Sequence, residues 1–202
     1  MRLWFRLLLY IFKLPFYKAF THADEVSRLN FRVLPSDLDT NFHLNNGQYL
    51  VMMDYGRLDL TVRSGLWKVI WKNKWTPVVS GASIRFRREL RLWEPFVMET
   101  KLAYWDGPTA VMEQRLRFRK GQKKGAIAST ALFKVGIYDR ANRTFVPFQD
   151  IVKMSGHTLP QPELKDHIRD FLATNESFQQ YDRQDSTALK PADQKEPSNS
   201  HE

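Results

Sequence analysis

Apolar and polar positions repeat with two different periods along this chain. From Asn46 to Ser64 the residues read NGQYLVMMDYGRLDLTVRS. Tyr49, Met53, Gly56 and Leu60 recur at helical spacing, and Leu50, Val51 and Met52 widen the apolar face. A helix that is apolar around most of its circumference is predicted to be buried. Asn45 or Asn46 suits its N-cap, and Gly65 suits its stop. Gly56 in mid-helix costs about 1 kcal/mol against Ala, so a close approach by a neighbouring element is expected there. The next piece, LWKVIWKNKWTP, spaces Trp67, Trp71 and Trp75 four apart, which puts them on one side if it is helical. They pack over the helix end, or they form a flap over a greasy channel.

After Pro77 the period changes to two. Residues 78–90, 96–105, 109–120 and 126–139 read as strands, as does EVSRLNFRVL at 25–34. Pro35-Ser36-Asp37 and Trp93-Glu94-Pro95 mark turns, and Asp106-Gly107 is a hairpin signal. Short connections predict a largely antiparallel meander of four strands after the helix. The one long helix is the available cover for the apolar face of that sheet. The expected class is α+β, with an antiparallel sheet wrapped around one long buried helix.

The ends differ from this middle. Residues 1–23 mix Trp4, Phe5, Leu8, Leu9 and Phe12 with Arg2, Arg6, Lys13 and Lys18. The longest uncharged stretch, Leu7 to Phe12, is too short to span a bilayer. The segment is expected either to lie in a membrane interface as a peripheral contact through residues 1–20, or to pack on the domain or on a second subunit. Residues 24–160 form the expected domain and 161–178 a C-terminal helix. Residues 179–202 have few apolar side chains and are expected to be a disordered tail.

Composition adds two limits. The 202 residues include no cysteine, which excludes disulfides, thiolate metal sites and a cysteine nucleophile. The formal net charge of +9 attracts anionic lipid, nucleic acid or a phosphorylated cofactor. No nucleic-acid motif is present, so nucleic acid is not an expected partner. No metal and no resident cofactor are expected, and the expected location is cytoplasmic, at most peripheral to the inner face of a membrane.

The stretch DLDTNFHLNNGQYL at 37–50 concentrates Asp, Asn and His ahead of the buried helix. Asp and Asn gather routinely at caps and turns. Capping needs one or two of them and asks for neither His43 nor Asn41. Two readings stand on the residues alone: a cap, or an active site at the helix N-terminus.

The run PSDLDTNFHLNNGQY, with RVLPSDLD before it and RFRRELRLWEPF further on, resembles the hotdog-fold acyl thioesterases of the 4-hydroxybenzoyl-CoA thioesterase-like group. Its loop is similar to that of the plant acyl-carrier-protein thioesterases. The resemblance covers residues 25–140. It implies a hotdog fold, a homodimer or dimer of dimers, and a substrate that is an acyl-CoA or an acyl carrier protein. Asp39 matches the family's catalytic carboxylate, as general base or nucleophile, and Asn41 and His43 match the other polar members of the loop. Glu89, after Arg87-Arg88, matches a second acid of the plant enzymes. Leu90 stands where the family can carry Cys, so a cysteine role is absent. Backbone N–H groups at Asn46 and Gly47 would polarise the thioester carbonyl. The acyl tail would lie beside the helix near Tyr49, Met52 and Met53. The alternatives are a non-catalytic hotdog module binding an acyl ligand or membrane surface, and a hotdog dehydratase or hydratase, against which Asn45-Asn46 before Gly47-Gln48-Tyr49 speaks.

Overall fold

The computed structural model describes residues 8, 10–12, 14, 17–20, 25–157 and 160–188. The chain forms two units, residues 1–164 and 165–202. In the first, strand β1 (Ser27–Arg32) leads through a short 3-10 turn at Pro35–Asp37 to helix α1 (Asn46–Arg63). Helix α2 (Leu66–Lys72) follows, then β2 (Thr76–Phe86), β3 (Pro95–Asp106), β4 (Thr109–Phe118), β5 (Ile127–Asp139) and β6 (Thr144–Val146). Helix α3 (Phe148–Met154) completes it. The second unit holds helix α4 (Asp166–Ala188).

The sheet is antiparallel at every pairing, in the order β1-β3-β4-β5-β2, with β6 on β5. The expected four-strand meander is therefore corrected: only β3, β4 and β5 are consecutive neighbours. The Trp93-Glu94-Pro95 turn misled, because residues 87–94 are a crossing and not a hairpin. At one end Arg87 and Arg88 donate their N–H groups to Ala128 O, holding the end of β2 on β5. At the other, Trp93 N–H donates to Val33 O, across the sheet beside β1. Leu90, fully buried in between, carries the crossing past the start of α1.

Helix α1 packs on β1, β3 and β4. It buries Tyr49, Met52, Met53, Tyr55 and Leu60, each contributing about 1.5–3 kcal/mol by leaving water. The close approach expected at Gly56 is present. A Cβ there would lie 2.6 Å from Gln114 Nε2 and 2.8 Å from Met98 Cε, and closer still to Thr100 Oγ1. Gln114 is buried but satisfied: Nε2 donates to Met53 O (2.9 Å) and Thr100 Oγ1 (2.8 Å), while Oε1 accepts from Arg57 Nη1 (3.0 Å). Gly56→Ala is expected to destabilise by about 1–3 kcal/mol through overpacking, although Ala is the better helix former. The shift in urea midpoint at unchanged slope measures it.

The far end of α1 anchors the N-terminal segment. Asp59 is 0% exposed and accepts hydrogen bonds from Ser27 Oγ (2.5 Å), Tyr10 OH (3.1 Å) and Arg63 Nη1 (3.2 Å). Arg63 lies 4.1 Å from the Phe20 ring centre and donates through Nε to Lys18 O at 2.9 Å. Burial, reinforced by the Asp59 charge, holds the Tyr10 phenol far above its usual range. The segment's described apolar residues divide: Tyr10 and Phe20 are buried, whereas Leu8, Ile11 and Phe12 are exposed.

Two further boundaries move. The three tryptophans do not share one helix, because α2 ends at Lys72 and Lys74 takes a positive φ of 57° before Trp75, which precedes β2. Trp67 and Trp71 do adjoin, with ring centres 5.8 Å apart. The C-terminal helix runs through Ala188 and does not end at 178. Beyond residue 178 its apolar residues are Tyr181 and Ala188 alone, too few for a hydrophobic period to find these turns, and local polar bonds such as Ser186 Oγ to Asp182 O (2.7 Å) run along it. The remaining tail, 189–202, lies outside the described residues, as do residues 1–7 of the N-terminal segment.

Candidate active site

The loop from Asp37 to Asn45 is tied down at both ends. Asp37 is buried and accepts from Leu34 N–H (2.8 Å), while its carbonyl accepts from Asn45 N–H (2.9 Å). Leu44 N–H donates to Leu90 O at 2.8 Å, and His43 forms a bridge with Arg91. The crossing residues 87–91 are thereby fastened beside the loop. That placement brings Glu89 to the site, from a crossing and not from the strand in which it was expected.

Within the loop, Asp39 is the centre. Its Oδ1 accepts from Asn41 N–H (2.9 Å) and, longer, from His43 N–H (3.5 Å). Its Oδ2 is 3.1 Å from His43 Nδ1. The chain turns tightly to allow this. Asp39 N–H donates to His43 O (3.0 Å), and Phe42 takes a left-handed φ of 58° at 78% exposure. A left-handed phenylalanine is uncommon and strained. Sequence reasoning missed Phe42; its place between Asn41 and His43 in a loop of converging bonds was the available signal.

Asn45 is the N-cap of α1, its Oδ1 accepting from Gly47 N–H at 2.8 Å. That bond corrects one expectation: the Gly47 N–H is taken by the cap. Asn46, the first helical residue, retains the unpaired N–H direction of a helix start and borders a cleft of about 450 Å³. His43, Tyr49, Phe86 and Glu89 border the same cleft, with Arg87, Arg88 and Lys123 supplying positive charge. Asp39 and Asn41 do not line it; Asp39 stands behind His43. Met52 and Met53 are 0% exposed and do not line this cleft, so the expected acyl pocket near them is corrected. They fill the sealed layer between α1 and the sheet.

Tyr49 packs edge-on against Phe86, with centres 5.0 Å apart. Burial pushes its phenol up to about 12; the backbone at Leu90 opposes this, and the charges of Asp39 and Glu89 reinforce it. Both carboxylates thus bear on one hydroxyl at the cleft. A raised phenol pKa means that the folded state holds the proton more tightly than the unfolded chain. The associated stability is fully present below pH 10 and is lost as pH rises toward 12. Tyr49→Phe is expected to flatten the fall in unfolding free energy over that window, as read from urea titrations at successive alkaline pH values. An unchanged slope would contradict it.

Among the described residues no group of three or more His, Asp or Glu side chains is placed to hold a metal ion. No described helix is long and apolar enough to cross a membrane.

The model of the thioesterase-like superfamily matches residues 33–156, which includes the loop, α1 and the whole meander. The chain belongs to that superfamily. Protein THEM6 of Xenopus laevis is 32% identical over 154 residues, covering 76% of this chain and 70% of that protein. The Drosophila melanogaster THEM6 is 24% identical over 143 residues, covering 71% and 69%. Solved structures agree on the architecture. The probable thioesterase YbaW of Escherichia coli superposes with a TM-score of 0.55 at 19% identity, covering 63% of this chain and 94% of that one. A Staphylococcus aureus protein, SAV2348, determined in complex with CoA, superposes at 0.58 and 16% identity, covering 69% and 91%. A 1,4-dihydroxy-2-naphthoyl-CoA thioesterase from Synechocystis superposes at 0.55 and 11%, covering 65% and 95%. The curled sheet around α1 is the hotdog fold, as the resemblance of the loop implied.

Proposed function

We propose that this thioesterase-like chain hydrolyses acyl-CoA thioesters to free acid and CoA in the cleft at the start of α1. The observation that carries the reading is the Asp39–His43 pair, 3.1 Å apart, with His43 facing a cleft that also holds the first N–H of a long helix. With Nδ1–H donated to Asp39, His43 keeps Nε2 as the basic nitrogen toward the cleft. That nitrogen takes a proton from water as the water attacks the thioester carbon. The developing oxyanion is received by the Asn46 N–H and the positive end of the helix dipole. The tetrahedral species then expels the CoA thiolate, which needs little help from an acid.

This reading revises the role of Asp39. Its oxygens are engaged by Asn41, His43 and the imidazole, so it serves as the positioning residue for His43 and not as the direct base or nucleophile. Asn41 acts through its backbone by holding Asp39. Glu89 is the second acid-base group of the cleft, offset by its contact with Arg91 at 3.3 Å. Arg87, Arg88 and Lys123 suit the phosphates of CoA, and the CoA complex of the Staphylococcus aureus relative supports CoA over a carrier protein.

We further infer that a second copy adds along β2, an 11-residue edge strand with largely exposed side chains. The outward Leu8, Ile11 and Phe12 support a peripheral membrane contact by the N-terminal segment. The function is tested by thiol release from acyl-CoA and from the matching acyl carrier protein at equal concentration. Faster release from CoA is expected; equal or slower release would replace CoA as the substrate.

A further inference from the structure

One end of the first unit collects exposed aromatic and basic side chains. Strands β1, β4 and β2 finish at that end, and β3 and β5 begin there. Backbone bonds tie the connecting segments together. Leu44 N–H donates to Leu90 O (2.8 Å), Trp93 N–H to Val33 O (3.0 Å) and Arg119 N–H to Pro95 O (3.0 Å). The loop 37–45, the crossing 87–94 and the β4–β5 hairpin 119–125 are therefore neighbours. His43, Arg87, Arg88 and Lys123, drawn from all three, border the cleft that opens among them.

Two features of this surface are costly in water. The first is apolar area: Phe42 is 78% exposed, Trp93 51% and Leu92 40%. Phe42 and Trp93 also hold left-handed backbones, with φ of 58° and 61°. Asn and Gly take that conformation readily, whereas an aromatic residue takes it at a cost. The chain thus strains its backbone twice to hold an aromatic side chain in solvent. The second feature is charge. Residues 87–94 and 119–125 carry seven Arg or Lys against two Glu, and all seven cations are exposed. The acids of the loop do not balance them, because Asp37 is buried and Asp39 lies 3.1 Å from His43.

We propose that this end of the molecule docks on an anionic phospholipid bilayer. Phe42, Leu92 and Trp93 enter the interface, and the surrounding Arg and Lys side chains meet the headgroup phosphates. Exposed aromatic residues among cations are the makeup of an interfacial contact, and indole favours the headgroup level. An acidic protein fits less well. Lysine is depleted at protein interfaces, and Lys120, Lys123 and Lys124 crowd the hairpin. The surface is distinct from the N-terminal segment, which is fastened at the other end of α1 through Asp59 and Arg63. It also stands without the hydrolase reading, because docking needs no turnover. What docking adds to that reading is orientation: the mouth of the cleft faces the lipid.

The chain has no cysteine, so one introduced thiol carries one label. Gln122→Cys in the hairpin and Ala19→Cys in the N-terminal segment, both at exposed positions, each take an environment-sensitive nitrobenzoxadiazole probe. Each full chain is titrated with vesicles of mixed phosphatidylserine and phosphatidylcholine, and with phosphatidylcholine alone. The probe at 122 is expected to brighten and shift to the blue on the anionic vesicles only. Phe42→Asn with Trp93→Asn suits the left-handed backbone, so the fold is kept, and the pair is expected to weaken vesicle affinity at 122 at least about tenfold. Lys120→Gln, Lys123→Gln and Lys124→Gln together are expected to weaken it about a hundredfold, at about fivefold per cation. A response at 19 with none at 122 would assign all membrane contact to the N-terminal segment and overturn the proposal. A response at 122 that is as strong on neutral vesicles, or that survives both sets of substitutions, would overturn it as well. So would a response at 122 to an acidic carrier protein and not to vesicles, in favour of a protein partner. Hydrolysis enters none of these readings, so failure of this surface and failure of the enzyme reading are told apart.

Discussion

His43→Gln is expected to lower thiol release by about a hundredfold to ten-thousandfold, the usual contribution of a positioned general base. Gln keeps a polar side chain at the cleft but cannot accept and release a proton. The backbone N–H of residue 43 still reaches Asp39, so the loop bonds survive and the melting temperature should hold. Asp39→Asn is expected to reduce turnover comparably, because it offers an amide where the imidazole needs an acceptor. In the proposed mechanism the two residues act as one unit, so the double variant should be little worse than either single one. Additive losses would mean that Asp39 and His43 act separately, and an undiminished rate in His43→Gln would remove the imidazole from the reaction. Substrate affinity supplies a second readout: loss of a proton acceptor lowers kcat, whereas collapse of the cleft would raise KM as well.

Asp59→Ala is expected to cost about 3–5 kcal/mol, the range for removing one member of a buried charged pair. Three donors converge on that carboxylate, and the substitution strands Ser27 Oγ and Tyr10 OH in the interior and leaves Arg63 without its acid. The loss should also loosen the N-terminal segment, because Tyr10 is bonded there. Limited proteolysis then cuts the variant between residues 10 and 25 faster than the native chain. Denaturant unfolding reads the stability and protease cutting reads the anchoring. A variant of native stability would show that the Asp59 cluster contributes nothing net.

The period of the apolar residues was sufficient to place α1, because a buried helix keeps its 3.6-residue repeat whatever surrounds it. It was also sufficient for the strands, whose alternation shows on a half-buried sheet. Pairing order was not legible. Residues 87–94 carry turn signals, yet whether such a segment folds back or crosses depends on Leu90 entering the core beside Leu44, a tertiary event. The later turns of α4 escaped for the opposite reason: they carry no apolar stripe at all. In the candidate site, resemblance to a family named Asp39, Asn41 and His43 from the loop and Glu89 from the stretch after Arg87-Arg88. Their arrangement was not legible. That Asp39 backs His43, that the Asn45 cap occupies Gly47, and that Met52 and Met53 are sealed away are all consequences of where the loop meets α1 and the crossing.

The central claim is that the cleft at the head of α1 breaks a thioester bond. The most direct measurement is single-turnover thiol release from dodecanoyl-CoA by the full chain, run beside His43→Gln. The account predicts prompt release by the native protein and its loss in the variant. Saturable binding of dodecanoyl-CoA with no release by either protein would contradict it and would make the chain a hotdog module that holds acyl-CoA without cleaving it.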